Sequence, residues 1–313
     1  MMRKSSLVGT WVGMAAGVVA MALMPAVASA SASGLMLDVQ IDERAYLEDQ
    51  RIEVAVCLRN ESEFAFRDLA PLHPSGGYLM LNVIDLATDA HIPRRGTRPL
   101  TMVDHEGAVL GPGQSQCEAF NLLAWYGEEG GKGPSLASCL GSRSLPAGRY
   151  RLSVTFHARS GFVPELAPAV VRAREIDFSI ESISTNRAQV ELVRRFTGSC
   201  PKVERVDRGP IERHCAAWLP AFKNSPYFML IYYFTGRLMT SISADSLLST
   251  LDLQGGNGVR QASLIALRCS IERRSDQDRR KWMETLRRRR GDELSRTLID
   301  TWLSRTPEPR VRK

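Results

Sequence analysis

The first half of the chain alternates apolar and polar side chains with a period of two. In residues 149–157, four apolar side chains share one face, while arginine, serine, threonine and histidine occupy the other. Such alternation is typical of strands with one buried and one solvated face. Similar segments lie at residues 35–41, 51–60 and 174–181, while residues 77–85 are apolar on both faces, as in a central strand, and residues 116–125 are a weaker candidate. Because Pro and Gly turns rather than helical patterns separate them, we predict an antiparallel β-sandwich over residues 34–181.

The pattern changes after about Ser182. Val190, Val193 and Phe196 recur at helical spacing, and Thr185 or Asn186 is a candidate N-cap for that helix. Several further helical segments follow, divided by Pro and Gly. The last of them carries a stripe of three apolar residues four positions apart, Leu294, Leu298 and Trp302. We therefore predict an all-α helical domain over residues 182–313, which ends in a basic tail.

A short motif precedes the best strand of the first half. Leu145, Gly148 and Tyr150 form L-x-x-G-x-Y, which resembles the tyrosine corner of bacterial extracellular modules with an immunoglobulin-like or fibronectin-like fold. The resemblance covers residues 34–181. It implies that the Tyr150 hydroxyl bonds back to the main chain at one end of the sandwich. It implies a fold and no activity. The strand of Tyr150 has no cysteine, so the inter-sheet disulfide of antibody domains is not expected.

The N-terminus has the three parts of a secretory signal peptide. Arg3 and Lys4 precede an uncharged apolar stretch, and small-x-small triplets end at Ala28, Ala30 or Ala32. An uncleaved membrane anchor is the alternative, but the triplets favour cleavage. We predict a signal peptide at residues 1–30 and a periplasmic or secreted protein.

The positive charge is concentrated near the C-terminus. Residues 272–313 contain 14 Lys or Arg and 8 Asp or Glu, a net charge of +6, whereas the whole chain has a net charge of +7. A main domain that binds nucleic acid is therefore not expected. The charge fits an envelope protein with an acidic surface or an anionic envelope polymer, and an anionic membrane surface is a further candidate partner.

Six cysteines in an exported chain indicate disulfides, although the sequence alone allows 15 pairings. Proximity in the sequence favours Cys200 with Cys215 and Cys117 with Cys139. The remaining pair, Cys57 and Cys269, would then join the two domains. Two buried, unpaired thiols are the alternative for that last pair.

The sequence offers little catalytic chemistry, and no cofactor or metal site is predicted. His214 and Cys215 are adjacent, but neighbouring side chains on a helix point about 100° apart, which is a poor arrangement for a base and a nucleophile. Asp104, His105 and Glu106 could contribute to a site, but a solvated loop is the simpler interpretation. Enzymatic activity is left open and is less favoured than binding.

Two segments are better suited to binding. Trp125 and Tyr126 lie beside a glycine-rich acidic loop and could contact a ligand, or could pack into the core. Arg287, Arg288, Arg289 and Arg290 could attract an anionic partner, or could be a solvated helix face. The leading hypothesis is an exported, non-catalytic binding protein of the periplasm or cell envelope. The alternatives are a proteinase inhibitor that uses loops at the end of the sandwich and an envelope enzyme with a site between the domains. The oligomeric state is left open.

Overall fold

The structure is a computed structural model. It describes residues 34–95, 108–129, 135–158, 170–201, 208–235, 249, 258–261, 263, 280, 283–284, 287–288 and 292–305. The strands are β1 (Leu35–Ile41), β2 (Ala45–Leu47), β3 (Glu53–Asn60), β4 (Phe66–Leu69), β5 (Leu79–Asp85), β6 (Ala90–His91), β7 (Ala108–Leu110), β8 (Ser115–Asn121), β9 (Glu128–Glu129), β10 (Arg143–Ser144), β11 (Gly148–His157), β12 (Val170–Arg172) and β13 (Ile176–Glu181). The helices are α1 (Leu136–Leu140), α2 (Arg187–Gly198), α3 (Gly209–Trp218), α4 (Phe228–Phe234) and α5 (Glu293–Arg305). Residues 258–261 are also helical.

Two main sheets share one apolar core. The smaller has the strand order β1-β3-β8, and the larger has the order β2-β13-β11-β5-β6, with β12 paired to one end of β11. The inward residues of the best strand are all buried, as the alternation predicts (Tyr150, Leu152, Val154, Phe156). Pairing is antiparallel except between β13 and β2, which run parallel. The prediction of a β-rich half followed by helices is therefore confirmed at the level of β plus α.

The tyrosine motif forms the hydrogen bond that its resemblance implies. The Tyr150 hydroxyl donates to the main-chain oxygen of Pro146 over 2.8 Å, and the Tyr150 and Leu145 side chains are buried. A Cβ atom at Gly148 would lie 3.2 Å from the Tyr150 hydroxyl. This spacing explains why glycine suits the position between the turn and the tyrosine.

A second apolar cluster lies among the helices. Val193 and Phe196 of α2 pack there with residues of α3 and α4, and Asn186 caps α2 by accepting a hydrogen bond from the Gln189 amide. The cluster also contains Leu136 and Leu140 of α1. Because α1 comes before β11 in the chain, the β-rich half supplies part of the helical core.

Helix α5 packs on the outer face of the smaller sheet. Leu298 is fully buried against Cys117 of β8, and Leu294 and Trp302 pack beside it. The main-chain amide of Cys117 donates to the Thr301 hydroxyl of the helix over 3.3 Å. The apolar stripe predicted on the last helix is therefore a packing surface.

The predicted disulfide pairings are wrong. Cys57 is bonded to Cys117, and Cys139 is bonded to Cys200. Cys57 and Cys117 are directly opposite each other on β3 and β8, with their Cα atoms 4.1 Å apart, so sheet register rather than distance along the chain selects them. The pairs Cys200–Cys215 and Cys117–Cys139 are therefore not formed, and Cys57 is not available to Cys269. Cys215 is a buried free thiol, and Cys269 lies outside the described residues.

Two disulfides indicate an oxidising compartment, because thiols are kept reduced in the cytosol. Among the described residues, no helix combines the length and apolarity needed to span a bilayer.

Candidate functional site

Trp125 and Tyr126 do not form an exposed aromatic pair. Trp125 is 6% exposed and Tyr126 is 2% exposed, and both belong to the core between the sheets. The short 3-10 turn Leu122–Ala124, which the Asn121 side chain caps, directs the chain inward at this point. The Tyr126 hydroxyl donates to the Leu81 main-chain oxygen, and burial raises the pKa of Tyr126 to about 12. The structure thus supports the packing interpretation of these two rings.

Trp125 also serves as a local anchor. The guanidinium of Arg94 lies 4.9 Å from the centre of the indole ring, and the His73 ring meets the indole edge-on at 5.7 Å. Both contacts hold neighbouring loops against the core. The prediction that Trp125 and Tyr126 contact a ligand required exposed rings, and both rings are buried. The tip of the loop at residues 130–134 lies outside the described residues.

The arginine cluster is only partly within the described residues. Arg287 and Arg288 are described and exposed, whereas Arg289 and Arg290 are not described. The Arg287 side chain forms an ion pair with Asp300 of α5, with Nε 2.8 Å from Oδ1. The Arg288 Nε donates to the main-chain oxygen of Glu284 over 3.4 Å. Arg287 is thus held by α5, and Arg288 is held by its own helical turn.

These arginines line an open cavity of about 500 Å³. Its lining consists of Arg280, Glu284, Arg287, Arg288, Asp300, Leu303 and Ser304. The lining has three guanidinium groups and two carboxylates. Arg280 pairs with Glu284 over 3.5 Å, and Arg287 pairs with Asp300. The cavity therefore has an excess of one positive charge among its lining side chains. We call this feature the arginine cavity.

The Cys139–Cys200 disulfide lies against a histidine. One Sγ atom from each cysteine and one ring nitrogen of His214 all lie within 4.8 Å of one another, and all three side chains are half-buried. Burial lowers the pKa of His214, so the neutral imidazole is favoured at neutral pH. His214 and Cys215 occupy one helix, but burial raises the pKa of Cys215 to about 12. Cys215 is therefore a structural thiol rather than a nucleophile.

A buried polar cluster connects the smaller sheet with the helical segment at residues 258–261. Arg260 of that segment forms ion pairs with Asp42 and Glu43, which follow β1. Arg51 forms an ion pair with Glu53 at 2.5 Å, and both are almost fully buried. This arrangement places two cations and three carboxylates at the contact between the β-rich and helical parts.

Burial dominates the electrostatics of this cluster. It raises the pKa of Asp42 to about 6, although Arg260 acts in the opposite direction. The Tyr46 hydroxyl donates to Asp42 over 2.6 Å, and burial also raises the pKa of Tyr46. One oxygen of Glu53, Oε2, is buried without a hydrogen-bond partner among the described residues. The sequence does not predict this cluster, because Arg260 is 218 positions from Asp42 and the residues form no motif.

Asp104, His105 and Glu106 lie outside the described residues. The suggestion that they contribute to an envelope enzyme therefore stays a prediction.

No protein-family model and no curated protein matches the sequence. Similar solved structures include the CARDB domain of the PF1109 protein from Pyrococcus furiosus, with 14% identity over 47% of this chain and 87% of that chain, at a TM-score of 0.25. The β-glucosidase EmGH1 from Erythrobacter marinus is 18% identical over 47% of this chain and 15% of its own, at a TM-score of 0.25. The sporulation control protein Spo0M from Bacillus subtilis is 10% identical over 52% of this chain and 56% of its own, at a TM-score of 0.25. None of these similarities bears on the function of this chain.

Proposed function

We propose that this chain is an exported, non-catalytic binding protein of the periplasm or cell envelope. Its parts are a signal peptide at residues 1–30, an immunoglobulin-like β-sandwich at residues 34–181 and a helical domain at residues 182–313. The hydrogen bond from Tyr150 to Pro146 and the core shared by two sheets support the sandwich. The two disulfides support an oxidising compartment.

The arginine cavity is the proposed binding surface, and it is the observation that carries the proposal. Its excess positive charge and its guanidinium groups suit a partner with phosphate or carboxylate groups, to which arginine can donate two parallel hydrogen bonds. Two of the three arginines are already fixed by ion pairs, so less side-chain entropy is lost when an anion binds. An anionic polymer of the cell envelope is the partner class that we favour.

The neighbouring sequence strengthens this choice. Arg289 and Arg290 directly follow the described arginines, and residues 272–313 have a net charge of +6. A long, flexible polyanion can contact several such charges at once, and each arginine near an anionic surface contributes about 1 kcal/mol. Binding should therefore weaken strongly with added salt.

The test is a binding titration of the secreted protein with purified lipopolysaccharide, which carries phosphate groups, at about 0.05 M and 0.5 M salt. We expect Arg287→Ser/Arg288→Ser to weaken binding by about 10- to 30-fold at low salt. Arg59→Ser/Arg67→Ser is the matched control, because it removes the same charge from exposed positions on the β-rich half. Equal losses in the two variants would show a charge effect without a defined site and would contradict the proposal.

Vesicles distinguish a polymer partner from a lipid partner. Binding to phosphatidylglycerol vesicles but not to lipopolysaccharide would replace the polymer with a membrane surface. If neither ligand binds, cross-linking in cells tests for a protein partner. An envelope protein that is recovered with the wild type and lost with the Arg287→Ser/Arg288→Ser variant would be that partner.

A further inference from the structure

The surroundings of the Cys139–Cys200 disulfide differ from those of Cys57–Cys117. Cys139 belongs to α1, Cys200 follows α2 and His214 lies on α3, so three separate helices bring two sulfur atoms and an imidazole together. The three donor atoms are within 4.8 Å of one another. In a tetrahedral zinc site with bonds of about 2.0 to 2.3 Å, ligand atoms lie roughly 3.3 to 3.8 Å apart. Once the disulfide is broken, the two sulfur atoms must move apart, whereas the imidazole nitrogen is at most about 1 Å beyond a ligand-to-ligand distance.

A second observation concerns the orientation of the imidazole. The His214 Nε2 atom lies 3.2 Å from the main-chain oxygen of Phe196. A carbonyl oxygen can only accept, so Nε2 carries the hydrogen and the lone pair of the neutral ring is on Nδ1. A bond from one ring nitrogen to a main-chain carbonyl is the usual way in which a metal-binding histidine is oriented.

The ring is also held by packing. The Phe196 ring centre lies 4.4 Å from the His214 ring centre, and the ring of Trp218, one turn further along α3, lies 6.2 Å away. Residues of α2 and α3 therefore hold the imidazole in place. All three donor side chains remain half-buried, so a small reductant and an ion can reach them.

We infer that reduction of the Cys139–Cys200 disulfide converts this cluster into a binding site for Zn²⁺. The ligands are the two thiolates and the His214 imidazole, and a water molecule occupies the fourth position. Thiolate and imidazole ligands suit this ion. A dithiol supplies two electrons and two protons to the disulfide and is itself oxidised to a disulfide. Zn²⁺ then displaces the two thiol protons.

The site would preserve a link that reduction breaks. The disulfide joins α1 to the end of α2, and Zn²⁺ bound by both cysteines would join the same two points. Metal binding would thus keep the helical cluster attached to the β-rich half while this disulfide is reduced.

The experiment uses the full mature chain, reduced with dithiothreitol and desalted under anaerobic conditions. Zn²⁺ is titrated against a chromogenic chelator, and Co²⁺ is used as a spectroscopic probe. We expect the reduced protein to bind one equivalent of Zn²⁺ and to show thiolate-to-cobalt charge-transfer absorption. The oxidised protein should do neither. Zinc should also raise the melting temperature of the reduced protein.

Three variants distinguish a built site from casual binding by free thiols. His214→Ala should weaken Zn²⁺ binding by more than about tenfold, because even second-shell partners contribute that much. Cys200→Ser should abolish the thiolate signal of the pair. Cys57→Ala/Cys117→Ala is the control and should keep the site, because the other disulfide is removed and the three ligands are retained.

Three results would overturn the inference. The first is equal Zn²⁺ affinity in the reduced wild-type protein and in His214→Ala. The second is a reduced protein that circular dichroism finds folded and that shows no thiolate-to-cobalt signal. A reduced protein that is unfolded, shows no such signal and does not refold when Zn²⁺ is added would overturn the inference as well.

Discussion

Arg260 and Asp42 are 218 positions apart in the sequence and form a buried ion pair, with the Arg260 Nε atom 3.1 Å from Asp42 Oδ2. Asp42 is 8% exposed and Arg260 is 4% exposed. Arg260 also donates to Glu43, so one guanidinium group serves two carboxylates. A residue from the helical part therefore neutralises one carboxylate that is buried and one that is partly exposed in the β-rich part.

Replacing Arg260 should destabilise the protein strongly. Arg260→Met would leave the Asp42 carboxylate buried without its cation, and such a change typically costs about 3 to 5 kcal/mol. Urea unfolding at neutral pH measures the loss. Arg59→Met, at an exposed position of β3, is the control and should change the free energy of unfolding by less than about 0.5 kcal/mol. A loss for Arg260→Met no larger than that of the control would argue that the pair is not formed.

The Asp42 carboxyl should make stability depend on pH in a definite direction. Burial raises its pKa from 3.8 to about 6 in the folded protein. The folded state therefore holds this proton more tightly than the unfolded state does, and the resulting stabilisation is complete below about pH 4 and lost as the pH rises through 6. The loss is roughly 3 kcal/mol at most.

The measurement compares wild type with Asp42→Asn in urea unfolding between about pH 4 and pH 7. The free energy of unfolding of wild type minus that of Asp42→Asn should fall as the pH rises, because only wild type loses the Asp42 proton. The other titrating groups are common to both proteins and cancel in this difference. Asp38→Asn, an exposed change on β1, serves as the control and should not reproduce the trend. A difference that stays constant or increases with pH would contradict the expected direction.

Removing one hydroxyl should test the tyrosine corner. Tyr150→Phe deletes the bond to the Pro146 oxygen and leaves the buried ring in place, so we expect a loss of about 0.5 to 1.5 kcal/mol. Thermal unfolding or urea unfolding measures it. Tyr233→Phe is the matched control, because Tyr233 is partly exposed. If both variants lost the same stability, the hydrogen bond would not be a specific contributor.

The disulfide beneath α5 should contribute substantially to stability. Cys57→Ala/Cys117→Ala removes a link between residues 60 positions apart and should cost about 2 to 4 kcal/mol. The same variant and the wild type should become nearly equal in stability once both are fully reduced. A gap that persists after reduction would assign the loss to packing against Leu298 rather than to the covalent bond.

The strands could be predicted from the sequence because their signal is local. Period-two alternation located β1, β3, β11 and β13 and identified their buried faces, and helical spacing located α2 and α5. The pairing of Cys57 with Cys117 could not be predicted, since it depends on the register between two strands and β8 alternates weakly.

The candidate sites were harder to predict for a similar reason. The direction of the Trp125 side chain depends on the 3-10 turn Leu122–Ala124. The residue pattern of this short segment does not predict that turn. The contact between Arg260 and Asp42 arises only when distant parts of the chain meet. The sequence places His214 beside Cys215, but in space it lies near Cys139 of α1 and Cys200 after α2.

Helix α1 has a consequence for how this architecture could be recombined. Leu136 and Leu140 fill the apolar cluster of the helical part, and Cys139 ties the same helix to Cys200. A helical segment transplanted to another protein without α1 would lack two side chains of its core, and Cys200 would have no disulfide partner. Any functional exchange of that segment, by evolution or by design, would have to carry the α1 loop of the β-rich half along with it.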